Sequence, residues 1–300
     1  MTLRPAYTSS AFFKVHIDDF KEEERNGLNK RKLPLWRLLL ERGFFEERKE
    51  AASWVMSNKV LINGTPAVYE GEQVREDVEI AIKGYEQKYV GKGGLKLEGA
   101  LEYFQINVSG KIALDTGAST GGFTDCLLQH GVAKVYAIDA GYGQLAGKLR
   151  LDSRVVNMEK TNIGSVAKLH LKPEPEFATL DLSYLSLKQA IPLVVRLLQP
   201  SGEILCLVKP LFEVADPQIR RSGRIDDPGI YQQILMDLVS FTENIGLRVL
   251  GITNSLVTGN KGTKEFFLWL GQSGGSVKRD IRKDIDAAVI EAAKLKAYSK

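Results

Sequence analysis

The chain has 300 residues, 44% of them hydrophobic and 26% charged, which is enough apolar material for one substantial domain and a small module and excludes pervasive disorder. A net charge of +4 announces no nucleic-acid partner by itself, so any basic surface must come from local clustering. Cys126 and Cys206 stand alone in apolar runs with no second ligand at metal-binding spacing, which excludes a disulfide framework or a zinc site and fits reduced thiols in the cytoplasm.

No apolar run reaches the roughly 20 residues of a membrane helix, because Arg37 interrupts LPLWRLLL and Arg196 interrupts IPLVVRLL. The start, MTLRPAYTSSAFFKVHIDDF, has too short an apolar core and too many aspartates for a signal peptide. Residues 1–32 close on the mixed-charge stretch DDFKEEERNGLNKRK and read as a mobile arm. A compact pattern follows over residues 33–86. It comprises an apolar helix (LPLWRLLLER) stopped by Gly43, a second helix (EERKEAASWVMSN), a strand with a turn (KVLINGTPAV) and a last strand (VEIAI). Order and spacing resemble the S4 RNA-binding domain, with Gly43, Arg48, Ala51, Val60 and the Asn63-Gly64 turn at the family's positions. Pro34-Leu35-Trp36 replaces the usual Arg-Leu-Asp opening, Glu47 a serine and Asn58 a glycine. The resemblance implies that Arg37, Arg42, Arg48, Lys49 and Lys59 offer charge to phosphates; a solvated helix face is the competing reading.

From about Tyr89 onward, apolar strands alternate with helical patterns (IALD, VYAID, RVVN, FATLDL, EILCLVK), predicting a mostly parallel sheet covered on both faces. RVLGITNSL and EFFLWL follow without an intervening helix, so one of them is expected to pair antiparallel at the sheet edge. IALDTGASTGGFTD joins a strand ending near Asp115 to a glycine-rich turn and a helix start, and Asp139 closes the next strand at the distance from which a carboxylate meets ribose hydroxyls. Gly117, Gly121 and Gly122 do not spell GxGxxG; they let backbone approach a bulky ligand without wrapping a pyrophosphate, which favours S-adenosylmethionine over NAD. Thr120 and Thr124 read as caps of the helix starting near Gly121. The stretch from Pro210 to Pro228, with Arg220-Arg221, is a long connection of the kind that holds substrate. Residues 273–300 read as a peripheral charged helix and tail.

Four charged residues mark element ends or starts: Lys96 in GGLKLEGAL, Asp181 in LDLSYL, Lys209 in LVKPLFE and Glu265 in GTKEFFLWL. A lysine closing an otherwise buried strand is costly unless paired or functional. Lys209 therefore reads as functional, with a structural Lys209–Asp181 ion pair as the alternative. Across residues 89–271 the segments YVGKGGLKLEGAL, ALDTGASTGGFTDCLLQHGVAKVYAIDAGYGQLAGKLR, LDLSYLSL, LVKPLFE and TGNKGTKEFFLWL resemble the hemolysin A-like (TlyA-type) ribosomal RNA methyltransferases, in which an S4 domain precedes an FtsJ/RrmJ-like methyltransferase domain.

That resemblance implies an α/β protein: a small S4-like α+β domain, then a Rossmann-like class I methyltransferase domain over 87–272. It implies that Lys96, Asp181, Lys209 and Glu265 form the tetrad of ribose 2'-O-methyltransferases, with Lys209 central and no metal. It places S-adenosylmethionine on Asp115, Gly117, Ala118, Ser119 and Gly121, with Asp139 at the ribose and Asn162 near the adenine. The implied partners are ribosomal RNA or ribosomal subunits, methylated at cytidines of 16S and 23S RNA. Lys92 stands where the family shows arginine, Leu211 where it shows glutamine, and the 216–227 loop lacks the family's glycine-rich wording. A noncatalytic RNA-binding ribosome factor would keep the fold without the tetrad, and a membrane-lysing hemolysin would need an amphipathic segment, for which the C-terminal helix is the candidate.

Overall fold

The computed structural model describes residues 31–42, 44–45, 47–84, 88–166, 171–183, 185–259, 262–272 and 280–295. Most of the expected arm, the Gly43 helix stop and residues 273–279 lie outside them. Two compact units form, the main break falling after Gly84.

The smaller unit opens with β1 (Lys32–Pro34), α1 (Leu35–Glu41) and α2 (Arg48–Met56), followed by β2 (Val60–Ile62), β3 (Thr65–Pro66), β4 (Gln73–Arg75) and β5 (Ile80–Ile82). Leu33 and Pro34 therefore belong to a strand, not to the expected helix: β1 pairs antiparallel with β4, and Pro34 sits opposite Gln73. A second antiparallel sheet has the order β3-β2-β5. Its hairpin turns on Asn63 (φ 49°) and Gly64 (φ 81°), both left-handed as a two-residue turn between twisted strands requires. Asn58 ends α2 at φ 53°, a conformation that asparagine tolerates almost as glycine does, so the exchange of glycine for asparagine preserves the backbone. Leu35, Leu39, Ala51, Val55 and Val60 are buried.

The larger unit begins with α3 (Gly93–Phe104) and continues through β6 (Ile112–Thr116), α4 (Gly122–Gln129), β7 (Lys134–Ile138), α5 (Gly147–Arg150), β8 (Val155–Met158), α6 (Ile163–Val166) and β9 (Phe177–Leu180). Next come α7 (Leu187–Val195), β10 (Glu203–Val208), α8 (Pro210–Glu213), α9 (Pro217–Ser222), α10 (Pro228–Asn244), β11 (Arg248–Asn254), β12 (Phe266–Gly271) and α11 (Ile281–Lys294). The strands form one seven-stranded sheet in the order β8-β7-β6-β9-β10-β12-β11. Strands β8 to β10 run parallel, and β12 runs antiparallel to both neighbours. As expected, one of the last two strands pairs antiparallel at the sheet edge: β11 is the edge strand and pairs antiparallel with β12, which lies one place in. Strand β12 is buried at all but one position, which suits an interior place, whereas β11 is only partly buried at three of its seven positions, both ends among them.

Successive side chains serve opposite faces, as the two-residue period of a strand dictates. Leu114, Ala178, Cys206 and Phe266 join the core beneath α7, α10 and α11. Ala113, Phe177, Leu205 and Phe267 join the core beneath α3 and α4. With both faces covered, the strands read as near-continuous apolar runs. The C-terminal helix is not peripheral: Ile285, Ala288, Val289 and Ala292 complete the first of these cores. The 210–228 connection is also more ordered than a loop, since α8, α9 and α10 each begin with proline at the first turn. No helix among the described residues is long and apolar enough to cross a membrane.

Candidate active site

The sheet changes winding direction at β6, whose neighbours β7 and β9 are reached by connections running to opposite sides, and a ligand crevice is expected outside the carboxyl ends of these strands. A cavity of about 530 Å³ opens there, lined by the ends of β6, β7 and β9 and by the loop after β8. That lies within the roughly 300–1,000 Å³ typical of small-molecule sites.

Gly117 turns out of β6 at φ 88°, and a Cβ there would stand 2.3 Å from the Asp181 carbonyl oxygen. Its amide and that of Ala118 donate to the Ile138 carbonyl, at 2.9 and 3.0 Å, which bends the turn against β7. Asp139 ties the rim together, accepting from the Ser119 amide at 2.8 Å and from the Gly141 amide at 2.7 Å. Thr116, Gly117, Ser119, Asp139, Asn162 and Asp181 all line the cavity. The Thr116 hydroxyl is buried there with no hydrogen-bond partner, as expected of a group awaiting a polar ligand. Asn162 also starts α6 by accepting from the Gly164 amide at 2.9 Å, so it serves as a turn residue and as part of the wall.

The remaining expected cofactor residues lie behind the wall. Gly121 is needed for packing, since a Cβ would come within 2.2 Å of Leu149 Cδ1, and Ala118 is buried beside it. Asp115 is fully buried and accepts from the Thr124 hydroxyl at 2.6 Å and the Thr179 hydroxyl at 2.9 Å. Burial pushes its carboxyl up to about 6 against these donors. The expected capping role of Thr124 is therefore replaced: the cap position is Gly121, at φ 98° and with no side chain, and Thr124 bonds to Asp115. Thr120 does not cap either; its hydroxyl stands over Gly91, 3.1 Å from where a Cβ would be. Sequence reasoning missed Gln144, which accepts from the Ser119 hydroxyl at 3.2 Å and completes the rim within the same DAGYGQ segment.

The four charged residues form two ion pairs. Lys96 Nζ, on α3, lies 2.6 Å from Glu265 Oε2, and Lys209 Nζ lies 2.6 Å from Asp181 Oδ1 and donates to Ser183 Oγ at 3.2 Å. The sheet explains the gathering. Asp181 and Lys209 follow the carboxyl ends of the adjacent parallel strands β9 and β10, and β12, being reversed, brings its amino end to the same rim, where Phe266 pairs with Val208. Burial raises the Glu265 carboxyl above its ordinary value and the nearby Asp181 charge adds to this, while Lys96 and Lys209 pull the other way. The Lys96 and Glu265 side chains are 10% and 6% exposed, and those of Lys209 and Asp181 are 18% and 23% exposed. The second pair is thus the one that a substrate can reach.

In the smaller unit, Arg37 pairs with Glu41 at 2.8 Å along its own helix. Arg48 reaches Glu70 at 3.2 Å and stacks 5.0 Å from the Trp36 ring, Lys59 lies 4.8 Å from the Trp54 ring and Lys49 is exposed, whereas the half-buried Arg42 groups by its contacts with the larger unit. Within the smaller unit, Arg37 and Arg48 are engaged by carboxylates and Arg48 and Lys59 by aromatic rings. Cys126 and Cys206 are both buried and free; burial pushes the Cys126 thiol up to about 12 and raises that of Cys206 as well. Among the described residues no cluster of histidine, cysteine, aspartate and glutamate could hold a metal.

This strand order, with its single reversed strand and a cavity at the switch point, is the architecture of class I methyltransferases. Residues 89–272 match the FtsJ-like methyltransferase family, and the chain belongs to that family, in its hemolysin A-like, TlyA-type group. YqxC of Bacillus subtilis, described provisionally as an rRNA methyltransferase, is 40% identical over 258 residues, which is 85% of this chain and 92% of that protein. TlyA of Mycobacterium tuberculosis, a 16S/23S rRNA (cytidine-2'-O)-methyltransferase, is 38% identical over 233 residues, covering 77% of this chain and 87% of TlyA. A solved structure from Streptococcus thermophilus, provisionally described as a hemolysin, superposes with a TM-score of 0.73 at 35% identity, over 89% of this chain and 97% of that one.

Proposed function

We propose that this methyltransferase moves a methyl group from S-adenosylmethionine to the 2'-hydroxyl of cytidine ribose in 16S and 23S ribosomal RNA, in the cytoplasm. The observation that carries the reading is the pairing of Lys209 with Asp181 and of Lys96 with Glu265 on one rim, beside a cavity suited to a nucleoside. The naming of TlyA, at 38% identity, supports the same substrate class.

The residues fit the cofactor. Asp139 and Asn162 both line the cavity, the first suited to ribose hydroxyls and the second to the base, and the Thr116 hydroxyl offers an unused donor and acceptor. When bound, S-adenosylmethionine supplies an electrophilic methyl group. Lys209 orients the ribose hydroxyl and stabilises the negative charge that develops on its oxygen, because an ammonium already paired with Asp181 is a prepared donor, and the proton that the hydroxyl loses passes to the solvent that reaches this partly exposed pair. Lys96 and Glu265 compensate one another beneath it, and alignment of the reacting groups supplies much of the remaining acceleration. Ribosomal RNA or a ribosomal subunit is the partner, and the segment over residues 33–86 is read as an S4-like anchor offering Arg37, Arg42, Arg48, Lys49 and Lys59.

The test is to map ribose methylation in ribosomal RNA from cells with and without the gene, and to repeat it with Lys209→Ala. Two lost cytidine marks restored by the wild type and not by the variant support the proposal. An unchanged methylation map refutes it.

A further inference from the structure

We infer that Glu213 is a positioning residue for methyl transfer, holding the two loops that carry Asp181 and Lys209 at a fixed separation. Lys209 and Glu213 flank the short helix α8 after β10, and Asp181, Ser183 and Ser186 lie along the loop between β9 and α7. These loops are joined at both ends. At the rim the joint is Lys209 Nζ with Asp181 Oδ1 and Ser183 Oγ, at 2.6 and 3.2 Å. At the far end, Glu213 Oε2 accepts from the Ser186 hydroxyl at 2.6 Å and Oε1 accepts from the Leu187 amide at 2.8 Å. Ser186 Oγ also accepts from the Lys188 amide at 3.2 Å, so Glu213 buttresses the cap of α7.

The asymmetry of the joints is what gives Glu213 a part in the reaction. The inference rests on the reading of Lys209 as the residue that meets the ribose hydroxyl. To do so, Lys209 has to divide its three N–H donors among Asp181, Ser183 and the hydroxyl, so the rim joint carries an added demand just when the cavity wall formed by Asp181, Leu182, Ser183 and Leu185 has to stay in place. A carboxylate with both oxygens engaged by the opposite loop carries that load without facing the substrate. Removing it lets Asp181 and Lys209 drift, and small displacements of reacting groups are costly in rate.

The full-length protein with Glu213→Ala should lose about 10- to 100-fold in kcat. Its KM for ribosomal RNA should stay within about 3-fold, since Glu213 lies outside the RNA contacts assigned above. Glu213→Gln, which still presents an acceptor to Leu187 and a polar group to Ser186, should recover most of the rate. Hydrogen exchange should quicken in residues 181–187 and 209–213 of the alanine variant and stay unchanged in β9 and β10. A lowered melting temperature with unchanged kcat, a loss confined to KM, or unchanged exchange in both loops overturns the inference, and the exchange readout stands even for a poorly active protein. If the wild type itself places no methyl on ribose, the functional reading fails instead, which the same assay shows separately.

Discussion

Replacing Asp115 by asparagine is expected to stabilise the protein at neutral pH, although the residue sits in the most recognisable motif of the chain. Asp115 is fully buried, and its two threonine donors do not repay the loss of water: burial moves its carboxyl from the ordinary 3.8 to about 6. Between those values the folded protein binds one more proton than the unfolded chain, so unfolding free energy falls as pH rises through that window. At roughly 1.4 kcal/mol per pH unit, ionised Asp115 costs about 3 kcal/mol at pH 7. Asparagine is neutral at every pH and can present Oδ1 to Thr124 and Nδ2 to Thr179. Its advantage should approach about 3 kcal/mol above pH 6.5 and fade towards pH 4. Denaturant unfolding of both proteins between pH 4 and 8 measures the difference directly. A difference that stays flat over that range, or an asparagine variant less stable at pH 7.5, would refute the electrostatic reasoning.

Asp139→Ala should weaken S-adenosylmethionine binding by roughly 1.5–3 kcal/mol, measured by calorimetry; unchanged affinity defeats its assignment to the ribose. Gly117→Ala should lower both cofactor affinity and melting temperature, since a Cβ would press within 2.3 Å of the Asp181 carbonyl oxygen; a neutral outcome would mean that this turn yields freely. Lys209→Arg keeps the charge but cannot serve as a base, so an orienting and charge-stabilising lysine predicts labelled-methyl incorporation at a measurable fraction of wild type; an inactive variant that still binds S-adenosylmethionine would point to a proton-accepting lysine instead. Deleting residues 1–84 should preserve cofactor binding and reduce both affinity for ribosomal RNA and its salt dependence; the same salt slope in the truncated protein removes the small unit as an anchor.

The residues readable from sequence were those that punctuate elements. Asp139, Asp181 and Lys209 each follow an apolar run, and a polar residue at a strand's carboxyl end announces a crevice in any sheet of this kind. What escaped depended on partners distant in the chain. Asp115 looked like a cofactor ligand because nothing local shows that Thr179 would consume one of its oxygens from the neighbouring strand. Strands β1 and β4 are three residues each, too short to display an alternation. The interior place of β12 follows from pairing with β10 and β11 on either side, which no local pattern records. Glu213 lies in the LVKPLFE segment, but its hydrogen bonds go to Ser186 and Leu187, 26 and more residues earlier in the chain.

Because β12 is wedged between two strands that precede it in the chain, the site has a birth order. Lys96 emerges from the ribosome long before Glu265, and until β12 has entered the gap beside β10 that lysine lacks the carboxylate it will face. A chain ending before residue 265 contains the glycine-rich turn and β6 to β10 but leaves the rim without its fourth charged residue. The order of synthesis thus sets the order in which the two ion pairs become available, Lys209 with Asp181 first and Lys96 with Glu265 last.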